Sequence, residues 1–266
     1  MSSPYYLFLF ERFQMEIPYK QEMIHLYPPW TYAISIGSCL VYLFLITTVF
    51  PLFTSKLTPS FKESFAKLHH ALLFLYSLFS FLAALYHIVV TGEITSWSRY
   101  ICDPLPPWLR AVSITFTLSK IWEWIDTAIL IWKGHSLKKI GFLHTYHHAT
   151  TFLLMLCVMN LPGPEKGGML LNGFVHVLMY YHFAFRLSKI FRPIITGLQI
   201  IQLITLTYMW HIVPDLCPNY RNFSRDHLII FLVPYALVPV YCLFFFKFFI
   251  EQYVFSRGKS STRKND

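Results

Sequence analysis

Seven runs of about twenty mostly apolar residues, at 30–53, 69–90, 111–132, 142–160, 168–187, 194–213 and 227–250, dominate this 266-residue chain. A backbone that loses contact with water must satisfy its own N–H and C=O groups, so runs of this length are read as membrane-crossing helices. Charged residues supply 13% of the sequence and hydrophobic ones 55%, whereas a soluble domain carries about 25% charge. A soluble fold is therefore excluded. The expected class is an all-α integral membrane protein with seven transmembrane helices. Its organisation is a segment at 1–29, the helical domain at 30–250 and a basic tail at 251–266. No cleavable signal peptide is expected, because residues 1–28 mix aromatics with Glu11, Arg12, Glu16, Lys20 and Glu22.

Charge orients the bundle. The connecting segments 54–68, 133–141 and 186–193 and the tail 251–266 hold thirteen Lys/Arg against three Asp/Glu. The segments 1–29, 91–110, 161–167 and 214–226 hold seven against eight. The positive-inside rule places the first set in the cytosol, giving a luminal N-terminus and a cytosolic C-terminus. Seven crossings demand that parity. The net charge of +9 thus sits on one membrane face, which attracts anionic lipid or polyanionic substrates without implying nucleic-acid binding.

Cys39, Cys157 and Cys242 fall within spans, where a thiol is usually inert packing. Cys102 and Cys217 fall in two luminal loops, where oxidation is permitted, and are expected to pair; the alternative is two free thiols. Arg263 and Lys264, the third and fourth residues from the end, approximate a dilysine retrieval signal for the endoplasmic reticulum. A solvated basic tail is the plainer reading.

His144, His147 and His148 open the fourth run. On a helix, offsets of zero, three and four place them within an arc of about 100°. Imidazole is costly in hydrocarbon, so an intramembrane cluster is read first as a functional site; histidines that snorkel to the headgroups are the structural alternative. The third run carries Lys120, Glu123, Asp126 and Thr127 on one stripe, which must face a polar cavity or partner helices. An ion-pair network that only pins helices together is the competing account. The fifth carries Asn172, His176, Met179 and Tyr180 on one face, and the sixth Thr196, Gln199 and Gln202. At 1.5 Å per residue, Asp126 lies about 9 Å and His147 about 8 Å inside the cytosolic boundary.

Four helices thus direct polar side chains into the cytosolic half of the bundle, and the luminal halves are expected to be apolar and aromatic. That asymmetry describes a chamber open to the cytosol with an acyl tunnel beyond it, enclosed by at least six helices. A long-chain acyl-CoA fits, its anionic end drawn by a rim of Lys133, Lys138, Lys139, Lys189 and Arg192. Positive-inside bias alone also accounts for those charges.

With these residues in hand, the chain resembles the ELO family of fatty-acid elongases of the endoplasmic reticulum. Lys120-x-x-Glu123-x-x-Asp126-Thr127, His144-x-x-His147-His148, Asn172-x-x-x-His176-x-x-Met179-Tyr180 and Thr196-x-x-Gln199-x-x-Gln202 match its four motifs in order. There are departures. His182 and Phe183 stand where the family usually has two tyrosines, and Gly197 stands where leucine is usual. Lys139, where members acting on polyunsaturated chains often have glutamine, leans toward saturated or monounsaturated substrates.

The resemblance implies a very-long-chain 3-oxoacyl-CoA synthase. Acyl-CoA and malonyl-CoA would condense to a 3-ketoacyl-CoA two carbons longer, releasing CO2 and CoA. No redox cofactor or metal is expected. A ketoacyl reductase, a dehydratase and an enoyl reductase would complete the cycle, and a homodimer is possible. Cys157 lies about 15 Å along the helix from His147, so the expected nucleophile is His147 itself, through an acyl-imidazole. His147 acting only as a general base remains the alternative. His144, His148 and His176 would orient reactants or move protons, Asn172 and Gln199 would bond developing oxyanions, and Asp126 would fix a histidine tautomer.

A histidine-rich di-iron desaturase or hydroxylase is disfavoured. It needs about eight histidines as iron ligands, and His69-His70 reads as a lone pair at a loop boundary, while His87, His182, His211 and His227 lack ligand spacing. Zinc held by His144 and His148 would want a third ligand. A receptor has no need of polar groups crowded on the cytosolic side, and a transporter would show repeated halves or helices broken at the midplane.

Overall fold

The computed structural model describes residues 28–159, 163–217 and 225–255. Most of the N-terminal segment and the retrieval-like tail at 263–266 lie outside them. Within them every regular element is helical. Helix α1 spans Pro28–Phe44 and continues through a π-helical stretch, Leu45–Val49, and a tighter turn, Phe50–Phe53. Helix α2 spans Pro59–Val90; Thr58 caps it by accepting from the Phe61 N–H, and proline at the first helical position needs no partner for a missing donor. It begins ten residues before the apolar run, because a capped, charged first turn can project beyond a membrane core.

Short helix α3, Trp97–Cys102, leads to α4, Pro107–Trp122, and α5, Trp124–Trp132. The third apolar run is therefore a helix interrupted at Glu123. A one-turn α6, Leu137–Ile140, precedes α7, Phe142–Met159. The turn Glu165–Gly167 and a π-helical stretch Gly168–Asn172 feed α8, Gly173–Phe185, which ends where Arg186 adopts the left-handed conformation. Helices α9, Phe191–Leu216, and α10, Arg225–Phe249, complete the bundle, and α10 stays helical through Pro234 and Pro239.

Side-chain pairings give the helix directions. Arg186 pairs with Glu63, His70 stacks on Tyr180, and Phe81 meets Phe174, so α2 and α8 run antiparallel. Thr127 meets His144, Trp124 meets His148 and Thr117 meets Met159, so α4–α5 runs antiparallel to α7. Lys120 meets Asn172, Glu123 meets His176 and Asp126 meets Tyr180, so the same helix runs parallel to α8 in matched register. Tyr146 and Thr150 of α7 reach Tyr241, and Trp210 of α9 reaches Phe231.

The surface is inverted relative to a water-soluble protein. Ile36, Leu40, Leu72, Phe79, Ile201, Ile204, Leu243 and Phe246 point outward, while Lys120, Glu123, Asp126, His148 and His176 are buried. Among the described residues four helical stretches, Ala33–Phe53, Pro59–Val90, Phe191–Leu216 and Phe231–Phe255, are long and apolar enough to cross a membrane. Both features give the chain membrane-protein character.

At the end of the bundle opposite the histidines, charges from the segments 91–110 and 161–167 turn inward. Glu93, Arg110, Glu165 and Lys166 are all buried there. Arg110 Nη1 donates to Glu165 Oε1 and Oε2 at 2.6 and 2.7 Å, and Ser113 adds a 2.6 Å bond. Lys166 Nζ donates to Glu93 Oε2 at 2.7 Å, with His87 on the other oxygen at 3.2 Å. Loop charges can enter a core when they neutralise one another in pairs, which composition alone does not reveal. Burial still acts on them, raising the pKa of Glu165 against the pull of Arg110 and lowering that of Lys166 against the pull of Glu93. Cys102 and Cys217 are disulfide-bonded beside this cluster, with Cα atoms 5.5 Å apart. Gly163, at φ 98°, passes so close to the Ile101 carbonyl that any side chain would collide with it.

Candidate active site

Three hydrogen-bonded knots hold the polar residues of the bundle. In the first, Lys120 Nζ donates to Glu123 Oε1 at 2.7 Å and to Asn172 Oδ1 at 3.0 Å. With its oxygen so engaged, the Asn172 amide donates to His176 Nε2 at 3.3 Å, and His176 Nδ1 faces Glu123 Oε1 at 3.4 Å. The four residues close a ring whose donors and acceptors alternate consistently, which assigns the His176 proton to Nδ1. The π-helical stretch before α8 contributes Asn172 to this ring, and such wide turns recur at functional sites. The Asn172 oxygen and one of its N–H groups serve the ring.

The second knot surrounds Asp126. His69 Nε2 lies 2.9 Å and His70 Nε2 3.5 Å from Oδ1, and the Tyr180 hydroxyl donates to Oδ2 at 2.8 Å. The tautomer that Asp126 fixes therefore belongs to His69, not to a histidine of the 144–148 cluster. The ligand atoms of His69, His70 and Asp126 all lie within 4.8 Å of one another, the group among the described residues that could hold a metal ion. Two imidazoles and a carboxylate are a zinc-type donor set; here His69 and Tyr180 hydrogen-bond the carboxylate. Sequence reasoning set His69-His70 aside as a lone pair. Asp126 gave the usable signal, since a buried carboxylate without a partner on its own helix requires one from another.

In the third knot Thr127 Oγ1 lies 2.9 Å from both the Tyr42 hydroxyl and His144 Nε2, tying α1, α5 and α7 together. Tyr42 was not anticipated. The His144 and His148 rings meet tilted at 44°, with centroids 4.3 Å apart. Trp124 Nε1 donates to the His148 carbonyl at 3.0 Å and Cys39 Sγ to that of Ala149 at 2.9 Å, fixing α7 from two sides.

His147 differs from His69, His70, His144 and His176, whose rings are paired. It is half-buried, and among the described residues it makes ring contacts without a hydrogen bond: Tyr241 at 5.1 Å, His148 at 5.5 Å and Phe245 at 5.9 Å. Buried imidazole edges that are not consumed by structure are available to a reactant. Cys157 is packed in the apolar cluster with Leu154, Val158 and Trp210. Gln199 reaches only the Met179 sulfur, at 3.7 Å, and the Gln202 carbonyl oxygen is buried without a partner. Thr196 returns its hydroxyl to the Arg192 carbonyl. Lys139 is exposed on α6 and stands apart from the knots. His182, in place of a tyrosine, is buried with Nδ1 unpaired, while Phe183 packs on His70 and Tyr180.

An apolar-faced helical bundle with a histidine-centred interior assembled from α2, α4–α5, α7 and α8 defines a helical protein of membrane character with a polyhistidine core. The chain belongs to the ELO family, described as the GNS1/SUR4 family, whose model matches residues 29–261. It is 33% identical over 184 residues to fatty acid elongase 6 of Leishmania major, covering 67% of this chain and 47% of that one. It is 32% identical over 157 residues to long chain fatty acid elongase 1 of Caenorhabditis elegans, covering 54% and 51%. The chain spans about half the length of these two relatives. With very long chain fatty acid elongase 3 of Mus musculus it shares 26% identity over 198 residues, 70% of this chain and 68% of the other.

Proposed function

We propose that the protein is a fatty-acid elongase that condenses an acyl-CoA with malonyl-CoA to give a 3-ketoacyl-CoA, CO2 and free CoA. Family membership and the elongase names of its relatives support the activity. The carrying observation for the mechanism is the contrast on α7: the His144 ring is bonded to Thr127, whereas the half-buried His147 ring meets Tyr241, His148 and Phe245 through ring contacts alone.

A His147 ring nitrogen attacks the thioester carbonyl; the C–S bond breaks and CoA leaves with a proton. Malonyl-CoA then loses CO2, its C–C bonding pair remaining on the α carbon as an enolate. That carbon attacks the acyl carbonyl, the C–N bond breaks, and the departing ring nitrogen takes up a proton from solvent, which regenerates the neutral imidazole. His176, fixed by Glu123 and Asn172, orients or protonates a reactant, and Lys120 balances the buried carboxylate. Gln199, with only a weak sulfur contact, is free to bond a substrate oxygen.

All seven helical rods cross the endoplasmic reticulum membrane in this reading. The histidine end faces the cytosol, the disulfide end faces the lumen, and a tunnel among the helices takes the acyl chain. The alternating helix directions given by the side-chain pairings support that arrangement. Reductase and dehydratase partners would process the product. Purified protein given a panel of acyl-CoAs and radiolabelled malonyl-CoA, without NADPH, should yield a labelled 3-keto product two carbons longer than a primer. No product from folded protein with any primer would overturn the proposal.

A further inference from the structure

The three knots satisfy most buried polar side chains near the histidines, and two exceptions lie on adjoining turns of one helix. His148 Nδ1 and Thr151 Oγ1 are each buried without a hydrogen-bond partner, in residues only 7% and 5% exposed. The threonine is conspicuous among its kind. Thr117, Thr150, Thr196 and Thr207 each turn their hydroxyl back to the carbonyl four residues earlier, at 2.7–3.1 Å. Thr151 does not; following the habit would engage the carbonyl of His147. Leaving a hydroxyl unpaired in a buried place is unfavourable unless something else completes it.

Helical geometry says where these atoms are. Thr151 is one turn beyond His147, about 6 Å along the axis and rotated by about 40°, between the directions of His147 and His148. That arc faces the bundle interior, since His147 packs on Tyr241 of α10 and the His148 backbone is held by Trp124 of α5. We propose that His148 Nδ1 and Thr151 Oγ1 together bind the carbonyl oxygen of the acyl group carried on His147. The inference rests on the acyl-histidine reading above. When sulfur leaves, and again when the malonyl-derived carbon attacks, that oxygen bears negative charge in the tetrahedral state. A threonine O–H and an imidazole N–H that no neighbouring group occupies are donors of the kind that stabilises such a charge. The bonds are returned unchanged when the ketone forms, so neither residue is consumed. Position along the helix also sets direction: the acyl chain must leave His147 toward Thr151 and run on past it into the bundle.

The experiment compares wild type, Thr151→Val, Thr151→Ser and His147→Ala as full-length purified protein, measuring steady-state condensation and thermal unfolding. Valine keeps the shape and removes the hydroxyl. Thr151→Val should lower kcat about a hundredfold, the effect of losing one oxyanion donor, with KM for acyl-CoA nearly unchanged and no loss of melting temperature. Thr151→Ser should restore most of the rate. Wild-type turnover by Thr151→Val overturns the assignment. So does a melting temperature several degrees lower, which would show that the hydroxyl has a structural partner. A wild-type protein inert with every primer instead removes the elongase reading itself, and this site with it.

Discussion

His69 and Asp126, 57 residues apart in the chain, meet Nε2 to Oδ1 at 2.9 Å inside the bundle. With Tyr180 on the second oxygen, this one carboxylate ties α2, α5 and α8 together. Hydrogen bonds to a charged group contribute about 1.5–3 kcal/mol each. Tyr180→Phe should therefore lower stability by about 2 kcal/mol, and Asp126→Ala by more, measured as thermal unfolding in detergent. Unchanged melting of both variants would refute a structural role for the knot.

The ring of Lys120, Glu123, Asn172 and His176 predicts a coupled effect on catalysis. Asn172→Leu frees His176 Nε2 and removes one of the two acceptors of Lys120. If His176 handles a proton, misplacing it should slow condensation about 10²-fold or more, with the pH profile displaced. A rate within twofold of wild type would assign the ring to packing alone.

His147→Ala should abolish both CoA release and product formation. The sharper observation is covalent. Incubation with acyl-CoA in the absence of malonyl-CoA should add one acyl mass to a peptide containing His147, and malonyl-CoA should discharge it. CoA release from wild type that always waits for malonyl-CoA, with no acylated peptide, favours the general-base alternative.

The Cys102–Cys217 bridge closes a loop of 115 residues, for which chain entropy gives about 4–5 kcal/mol of stabilisation. The Cys102→Ser, Cys217→Ser double variant should unfold at a lower temperature by several degrees, and reductant should destabilise wild type but not the variant. Equal sensitivity of both to reductant would contradict this.

Glu165 and Arg110 form a fully buried pair. Glu165→Ala strands the guanidinium and should cost about 3–5 kcal/mol. Adding Arg110→Leu should recover much of that loss, because the unpaired charge, rather than the missing bond, dominates it. A double variant less stable than either single one would show that the pair contributes through its geometry.

The spacing of Lys120, Glu123, Asp126 and Thr127 at three, six and seven residues was legible because a helix converts offset into angle. All four prove buried, though the helix breaks at Glu123 between the first pair and the second. The histidine arc at 144–148 and the face carrying Asn172, His176 and Tyr180 were legible for the same reason. His69 and His70 were not. Two adjacent histidines at the edge of an apolar run look like an interface pair until α2 is laid against α5 and α8.

That this chain is helical and suited to a membrane, and which face of each helix is polar, was written in the order of its residues, because backbone satisfaction and helical periodicity are local constraints. Tertiary structure alone decided which polar groups spend their hydrogen bonds on one another. It gave Asp126 to His69, His70 and Tyr180, gave Asn172 to Lys120 and His176, and drew Glu93, Arg110, Glu165 and Lys166 inside. It also left His147 and Thr151 without hydrogen-bond partners among the described residues. Hydrogen bonding saturates: each donor and acceptor has few places to fill, so availability depends on every neighbour at once, and only the packed bundle settles it.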